Sequence, residues 1–271
     1  VFDVKALLLY INQATAQLLR NGATRQYYET LGWYGREFVL GSVIVGVDGP
    51  RPARVQSSGP IAKLAPRGDV SKWVEVANLL GDPLLWAQAF PLLASFGSAL
   101  LHFAPTTKWN SAVVSLAGQT GRGKTVSVQF GLSVYGDPEH LMQPANATAN
   151  SVTAQLACHR NVPHLLDEVT DVPAKWLSEY LYMAANGRGK AALNRNRQFN
   201  STGNWSLVPF VTSNKPLLEH QAREISNAHR ARLVEIIVAN QLDREPAARL
   251  VAASREHAGS AAPLYLQTVL G

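Results

Sequence analysis

Apolar positions in the first twenty residues recur at helical spacing (Leu7, Leu8, Ile11, Ala14, Leu18, Leu19), which predicts a helix closed by Asn21-Gly22. From Leu31 to Val47 the pattern turns aromatic and β-branched, with Gly32, Gly35, Gly41 and Gly46 as punctuation, and this predicts short strands. Val47–Arg67 is rich in Gly, Pro and Ser and reads as a linker. Helices are predicted over Val70–Leu80, with Asp69 as N-cap, and over Leu84–Phe103. The run from Leu79 to Phe103 is the most apolar of the chain. Asp82, Pro83, Gln88, Pro91 and His102 interrupt it, so buried core helices are expected rather than a membrane span.

After Trp109 short apolar runs alternate with helical stretches. Strands are predicted at Ser111–Ala117, His164–Asp167, Trp205–Ser213 and Leu233–Val238, and helices at Lys124–Val134, Ser151–Ala157 and Lys175–Ala185. Strand and helix in alternation imply an α/β domain around a mostly parallel sheet. The expected organisation is an accessory α+β region at 1–60, a helical segment at 68–108, a core at 109–240 and a C-terminal helical tail at 241–271.

Composition narrows this only a little. The chain has 271 residues, 46% of them hydrophobic and 16% charged, which fits a packed protein and not a disordered one. It opens Val1-Phe2-Asp3 without an initiator Met, as a piece of a longer protein would. No signal-peptide pattern is present, and Cys158, the single cysteine, cannot build a disulfide framework or a cysteine-rich metal site; the expected setting is a cytoplasm. Net charge is +6, with arginine favoured over lysine. Position matters more than total: Arg188, Lys190, Arg195 and Arg197 fall within residues 188–197 without one acid.

Candidate chemistry starts at Gly118-Gln119-Thr120-Gly121-Arg122-Gly123-Lys124-Thr125, a full match to G-x-x-x-x-G-K-[S/T], with Val126 next on the helix that follows. Glycines let backbone amides converge on phosphates, Lys124 reaches the terminal phosphates of ATP, and Thr125 ligates Mg2+. A strand before and a helix after supply the context the motif needs. A second Gly-Arg-Gly-Lys at 187–190 lacks both the earlier glycine, where Ala184 stands, and the hydroxyl, where Ala191 stands. His164-Leu165-Leu166-Asp167-Glu168 has the Walker B form: Asp167 for the metal, Glu168 to activate water. An exposed Asp-Glu pair at a strand end is the plain alternative. Phe210–Asn214 ends a strand in polar residues. Asn214 is the candidate for contact with the γ-phosphate and the attacking water, and Ser213 or Thr212 replaces it if the register slips.

Arg230 and Arg232 precede a late apolar strand, as an arginine finger for a neighbouring subunit would, Arg232 being favoured; surface solvation is the alternative. The basic segment Asn186–Asn204 reads either as a hairpin, with Ala191–Gln198 as one strand, or as a solvated loop. On the first reading Arg188, Lys190, Arg195 and Arg197 face a polyanion, and Phe199 or Trp205 stacks on bases.

Taken together, these pieces resemble the helicase-like domain of phage and mobile-element primase–helicases, relatives of the superfamily III helicases within the AAA+ ATPases. The similarity runs from about Gly32-Trp33 to Ile237 and rests on Trp73 with Ala77-Asn78-Leu79, the apolar helix before Trp109, Ser133–Pro138, and Thr148–Ser151. Most distinctive are Leu165–Glu168 and Tyr182–Ala191. The resemblance implies a AAA+-type P-loop ATPase that forms a homo-oligomeric ring, a hexamer, and threads single-stranded DNA past pore hairpins carrying Lys190, Arg195 and Arg197. Gln119 and Arg122 depart from the small residues usual inside the loop. No primase-type acidic triad occurs in the first hundred residues, so a primase domain of such a protein would lie elsewhere. The alternative is a AAA+ ATPase that remodels or loads protein partners; a kinase fits worse, since it needs neither Glu168 nor the late arginine.

Overall fold

The computed structural model describes residues 3–20, 27–55, 60–104, 111–189, 203–220 and 230–271. Two sheets organise them. A meander of β1 (Gly32–Tyr34), β2 (Glu37–Leu40), β3 (Val43–Gly46) and β4 (Gly49–Pro52) pairs antiparallel in sequence order. The second sheet is wholly parallel among the described residues, with β5 (Val113–Ala117), β6 (Met142–Pro144), β7 (His164–Asp167), β8 (Pro209–Ser213) and β9 (Leu233–Ile237) in the spatial order β6-β7-β8-β5-β9.

Both faces of the parallel sheet are covered, which is why its strands read as unbroken apolar runs. Side chains alternate between two buried clusters. Val114, Leu116, Leu165 and Phe210 pack on one face with Phe130; Val113, Leu166 and Val211 pack on the other with Leu156 and Leu177. The first layer is built by α3 (Trp86–Leu100), α4 (Lys124–Leu132) and α8 (Arg244–Glu256), the second by α5 (Ala149–His159) and α6 (Ala174–Asn186). The remaining α-helices among the described residues are α1 (Val4–Arg20), α2 (Val70–Ala77), the short α7 (Leu217–His220) and α9 (Ala261–Leu270).

Helix α2 begins where the sequence predicts, because the Asp69 carboxylate accepts from the Ser71 amide at 2.7 Å. Trp73 then reaches the core, stacked 4.9 Å from Phe130 and donating from Nε1 to Ser133 Oγ at 2.9 Å. Helix α3 differs from expectation. The segment Pro83–Phe103 is long and apolar enough to cross a membrane by length and composition, yet the residues it buries are small or polar: Ala87, Gln88, Pro91, Ser95, Ser98 and Ala99. Its bulky Trp86, Leu93 and Leu100 are exposed. The cause is close approach to α4, where a Cβ on Gly131 would sit 2.8 Å from Pro91 O and Ser95 Oγ.

The expected linker at Val47–Arg67 is partly structured. Gly49–Pro52 forms edge strand β4 against β3, and Ile61 and Leu64 are buried in a short 3-10 turn at Pro60–Leu64. The meander shares one buried cluster with the parallel sheet: Trp33 and Phe38 belong to it with Val114 and Leu116, as do Leu250, Ala262 and Leu266 of the last two helices. Trp33 donates from Nε1 to Ala99 O at 2.9 Å, and its amide donates to Asn161 Oδ1 at 3.0 Å. By contrast Leu7, Leu8, Ile11 and Leu18 of α1 are exposed.

Candidate functional site

Strand β5 lies in the interior of the parallel sheet between β8 and β9, both of which follow it in sequence. The strand order therefore switches direction at β5, and in open α/β sheets ligands bind outside the carboxyl ends of strands at such a point. The loop Gly118–Gly123 emerges there and enters α4 at Lys124. Gly118 donates its amide to Ser213 O at 3.1 Å, and a Cβ on it would stand 2.7 Å from Val238 O. Gly121 has φ +84, a left-handed backbone state that glycine adopts without strain, and a Cβ on it would meet nothing within 4 Å.

Lys124 is buried at the start of α4. Its Nζ donates to Gly118 O at 2.6 Å, Gln119 O at 3.0 Å and Asn214 Oδ1 at 3.1 Å. Burial lowers its pKa, against the opposing pull of Glu168 and Asp167. Thr125 donates to Asp167 Oδ1 at 3.0 Å, and Thr212 donates to the same oxygen at 2.6 Å. Asn214 connects the two halves: Nδ2 donates to both Glu168 carboxylate oxygens at 3.2 Å, and Oδ1 accepts from Thr120 as well as Lys124. Lys124, Thr125, Asp167, Glu168 and Asn214, named from separate stretches of sequence, converge at the ends of three adjacent strands.

Two partners of this cluster escaped the sequence. Thr170 Oγ1 donates to Glu168 Oε1 and accepts the Asn214 amide at 2.7 Å. Glu168 itself has φ 61, a backbone state uncommon without glycine, and its amide donates to Thr212 Oγ1 at 2.9 Å. Gln88, fully buried on α3, donates to Asn240 O at 2.7 Å and to Arg122 O at 3.4 Å, tying the loop to α3. A polar residue inside an apolar run was the one available signal for Gln88. Thr170, two residues past Glu168, carried none.

The other expected residues lie apart. Arg122 Nη2 donates to Gln119 Oε1 at 3.2 Å. Val126 lines an open groove with Arg244, Ala247 and Val251 of α8. Arg232 ends the segment that enters β9, and its carbonyl accepts from Val113 at the amino end of β5. It thus stands at the amino ends of the strands, the opposite end from Gly118 and roughly 15 Å away at strand rise. Its guanidinium lies 5.1 Å from the Tyr182 ring centroid. Arg230 is two residues nearer the chain start, half-exposed.

Arg188 pairs antiparallel with Asn204, and Trp205 donates its amide to Gly187 O at 2.8 Å, so the segment between them leaves and returns at one place. Lys190, Arg195 and Arg197, with Phe199, lie outside the described residues. Trp205 does not fit the base-stacking expectation. It is 2% exposed, with Nε1 bonded to Ala184 O at 2.9 Å. Cys158 and His159 end α5 in packing contacts, and among the described residues no group of three metal-ligating side chains occurs.

No curated protein sequence matches the chain. A solved structure described as SCCmec type IV Cch, active helicase, superposes with a TM-score of 0.66 at 19% identity over 96% of this chain and 50% of that one. The NrS-1 C-terminal region (TM-score 0.42, 14% identity, 80% and 52% covered) and the JCV helicase (0.40, 13%, 75% and 54%) are more distant. The chain spans about half the length of these structures. The first of them shares the fold that the five-stranded parallel sheet defines, the AAA+-like P-loop fold. Residues 2–202 match the family described as Domain of unknown function (DUF927), and with most of its length inside that match this chain is a member of the DUF927 family.

Proposed function

We propose that this chain is the ATP-dependent helicase or translocase module of a phage or mobile-element replication protein. It hydrolyses ATP at subunit interfaces and moves single-stranded DNA through a homo-oligomeric, hexameric ring. The observation that carries the proposal is the convergence of Lys124, Thr125, Asp167, Glu168 and Asn214 at the carboxyl ends of β5, β7 and β8.

In this reading residues 109–240 are the ATPase core, and residues 1–60 are an accessory region. Backbone amides of Gly118–Thr125 and the amino end of α4 bind the phosphates. Lys124 exchanges its neutral carbonyl acceptors for phosphate oxygens, a stronger, charge-assisted pairing. Thr125 Oγ1 and Asp167 Oδ1 are hard oxygen donors 3.0 Å apart, the set that would hold Mg2+; the ion would neutralise charge on the phosphates. Glu168 accepts a proton from the attacking water, and Asn214, bonded to both Glu168 and Lys124, aligns that water with the γ-phosphate. Arg232 stands too far from its own loop to serve it, so it acts on the nucleotide of a neighbouring copy, with Arg230 behind it. Arg188 at the base of the 190–202 segment, with Lys190, Arg195 and Arg197, tracks the DNA backbone.

The test is ATP hydrolysis by the purified chain with and without single-stranded DNA, beside Lys124→Ala. Hydrolysis stimulated severalfold by DNA and abolished in the variant is the expected result. Hydrolysis indifferent to DNA would keep the ATPase, remove the translocase, and favour a remodeller of protein partners.

A further inference from the structure

Arg160 occupies a backbone position that does not suit it. It follows α5 with φ 57 and ψ −66, and Asn161 donates its amide to His159 O at 2.7 Å. This is a γ-turn of the rare positive-φ kind, strained for any residue with a Cβ and easy for glycine. Strain of this sort persists where the side chain is needed.

The side chain has an unusual setting. Its guanidinium carbon lies over the Tyr34 ring, 4.7 Å from the centroid. Among the described residues no carboxylate pairs with it and no acceptor takes its N–H groups. The neighbouring group is basic: His102 is held below its ordinary pKa, by burial first and then by the Arg160 charge. A guanidinium stacked on an aromatic face is pre-oriented, and its edge remains open to a planar or tetrahedral oxyanion.

The position ties Arg160 to the basic segment. Its carbonyl accepts from Ser206 at 2.8 Å, and Asn161 Nδ2 donates to Ser206 O at 3.0 Å. Ser206 lies two residues past Asn204, the partner of Arg188. Arg160 and Arg188 therefore flank one point at the amino ends of β7 and β8. A cation ending α5 also complements the helix dipole, but any basic residue at a relaxed φ would do that.

We propose that Arg160, over the Tyr34 ring and beside the Arg188–Asn204 pairing, is a phosphate-contacting residue for single-stranded nucleic acid. The inference rests on the DNA-translocase reading. It is tested by fluorescence anisotropy of a labelled oligothymidine with the whole chain across about 50 to 200 mM salt. Wild type, Arg160→Gly and Arg160→Gln are compared, with melting temperatures taken alongside. Arg160→Gly is expected to melt at or above wild type, since it relaxes the turn, while the slope of log K against log salt falls by about 0.7, one phosphate contact on a single strand. The slope decides, because a folding defect lowers the active fraction without changing the number of ions released. Wild-type binding with unchanged slopes in both variants would overturn the Arg160 contact alone. A wild-type chain that binds no oligonucleotide would overturn the translocase reading, and this contact with it.

Discussion

Asn214 Nδ2 lies 3.2 Å from each carboxylate oxygen of Glu168, so the residue at the end of β8 grips the acid that follows β7. The same amide accepts from Lys124 through Oδ1 at 3.1 Å. One side chain thus reports to the proposed water-activating acid and to the proposed phosphate-binding lysine together.

Replacing Asn214 should therefore separate chemistry from binding. Asn214→Ala is expected to lower kcat about 100-fold, in the range of a lost water-orienting or oxyanion contact, with the KM for ATP changed only a few-fold. Steady-state hydrolysis over an ATP titration reads both. An equal loss in binding and turnover would place Asn214 in the loop's architecture instead.

Gly123 has φ +86, and a Cβ on it would come within 2.7 Å of the Leu242 Cβ. Gly123→Ala must move the segment before α8 or distort the entry to α4. A loss of about 1–3 kcal/mol is expected, seen as a lowered melting temperature together with weakened binding of a fluorescent nucleotide. A variant of wild-type stability and affinity would show the loop to be more compliant than its packing against Leu242 implies.

These two residues also mark what the sequence could disclose. The loop, the Asp167-Glu168 pair and Asn214 were legible because each sits where an apolar strand gives way to polar residues, a local signal. Strand β6 was not: Met142-Gln143-Pro144 is three residues long, has no apolar run, and joins the sheet edge through its pairing with β7. Strand β4 hid for a related reason. Gly49-Pro50-Arg51-Pro52 reads as a linker, yet an edge strand tolerates proline where an amide would face solvent. Helix α3 misled in the opposite sense, because the close approach permitted by Gly131 places small and polar residues at its most buried positions and leaves Trp86, Leu93 and Leu100 outside. Thr170 and Gln88 act through partners distant along the chain or around a turn, and no periodicity encodes that.

Acid should weaken the fold at the base of the site. Burial lowers the His159 pKa to about 4, and its ring lies 5.2 Å from that of His164, which burial and then the His159 charge also hold well below the ordinary value. In the unfolded chain both titrate near 6.5, so between about 6.5 and 4 the unfolded state binds more protons. Stability is then complete above about pH 6.5 and is lost as pH falls toward 4. Melting temperatures from pH 7.5 to 4.5 should show this fall, and His159→Leu should make it shallower while His164 remains. A wild-type curve level across that range would mean that protonated imidazole is accommodated where the structure buries it. Since His164 opens the strand that ends at Asp167, nucleotide binding should fail along with the fold.

The position of Arg232 makes the strongest demand on assembly. It stands at the amino end of β9, at the opposite end of the strands from the loop, with its guanidinium 5.1 Å from the Tyr182 ring centroid. Arg232→Ala should fold normally and lose about 1000-fold in hydrolysis, the scale of a missing arginine finger. Lys124→Ala should be inactive as well. If the arginine serves a neighbour, mixing the two dead variants restores activity, because an Arg232→Ala subunit with an intact loop meets a Lys124→Ala subunit with an intact arginine. In a randomly mixed head-to-tail ring roughly a quarter of the sites are complete, so the mixture should recover roughly a quarter of the wild-type rate per subunit. An arginine acting within its own chain gives no recovery at any mixing ratio, and that result would remove the inter-subunit site from the proposed mechanism.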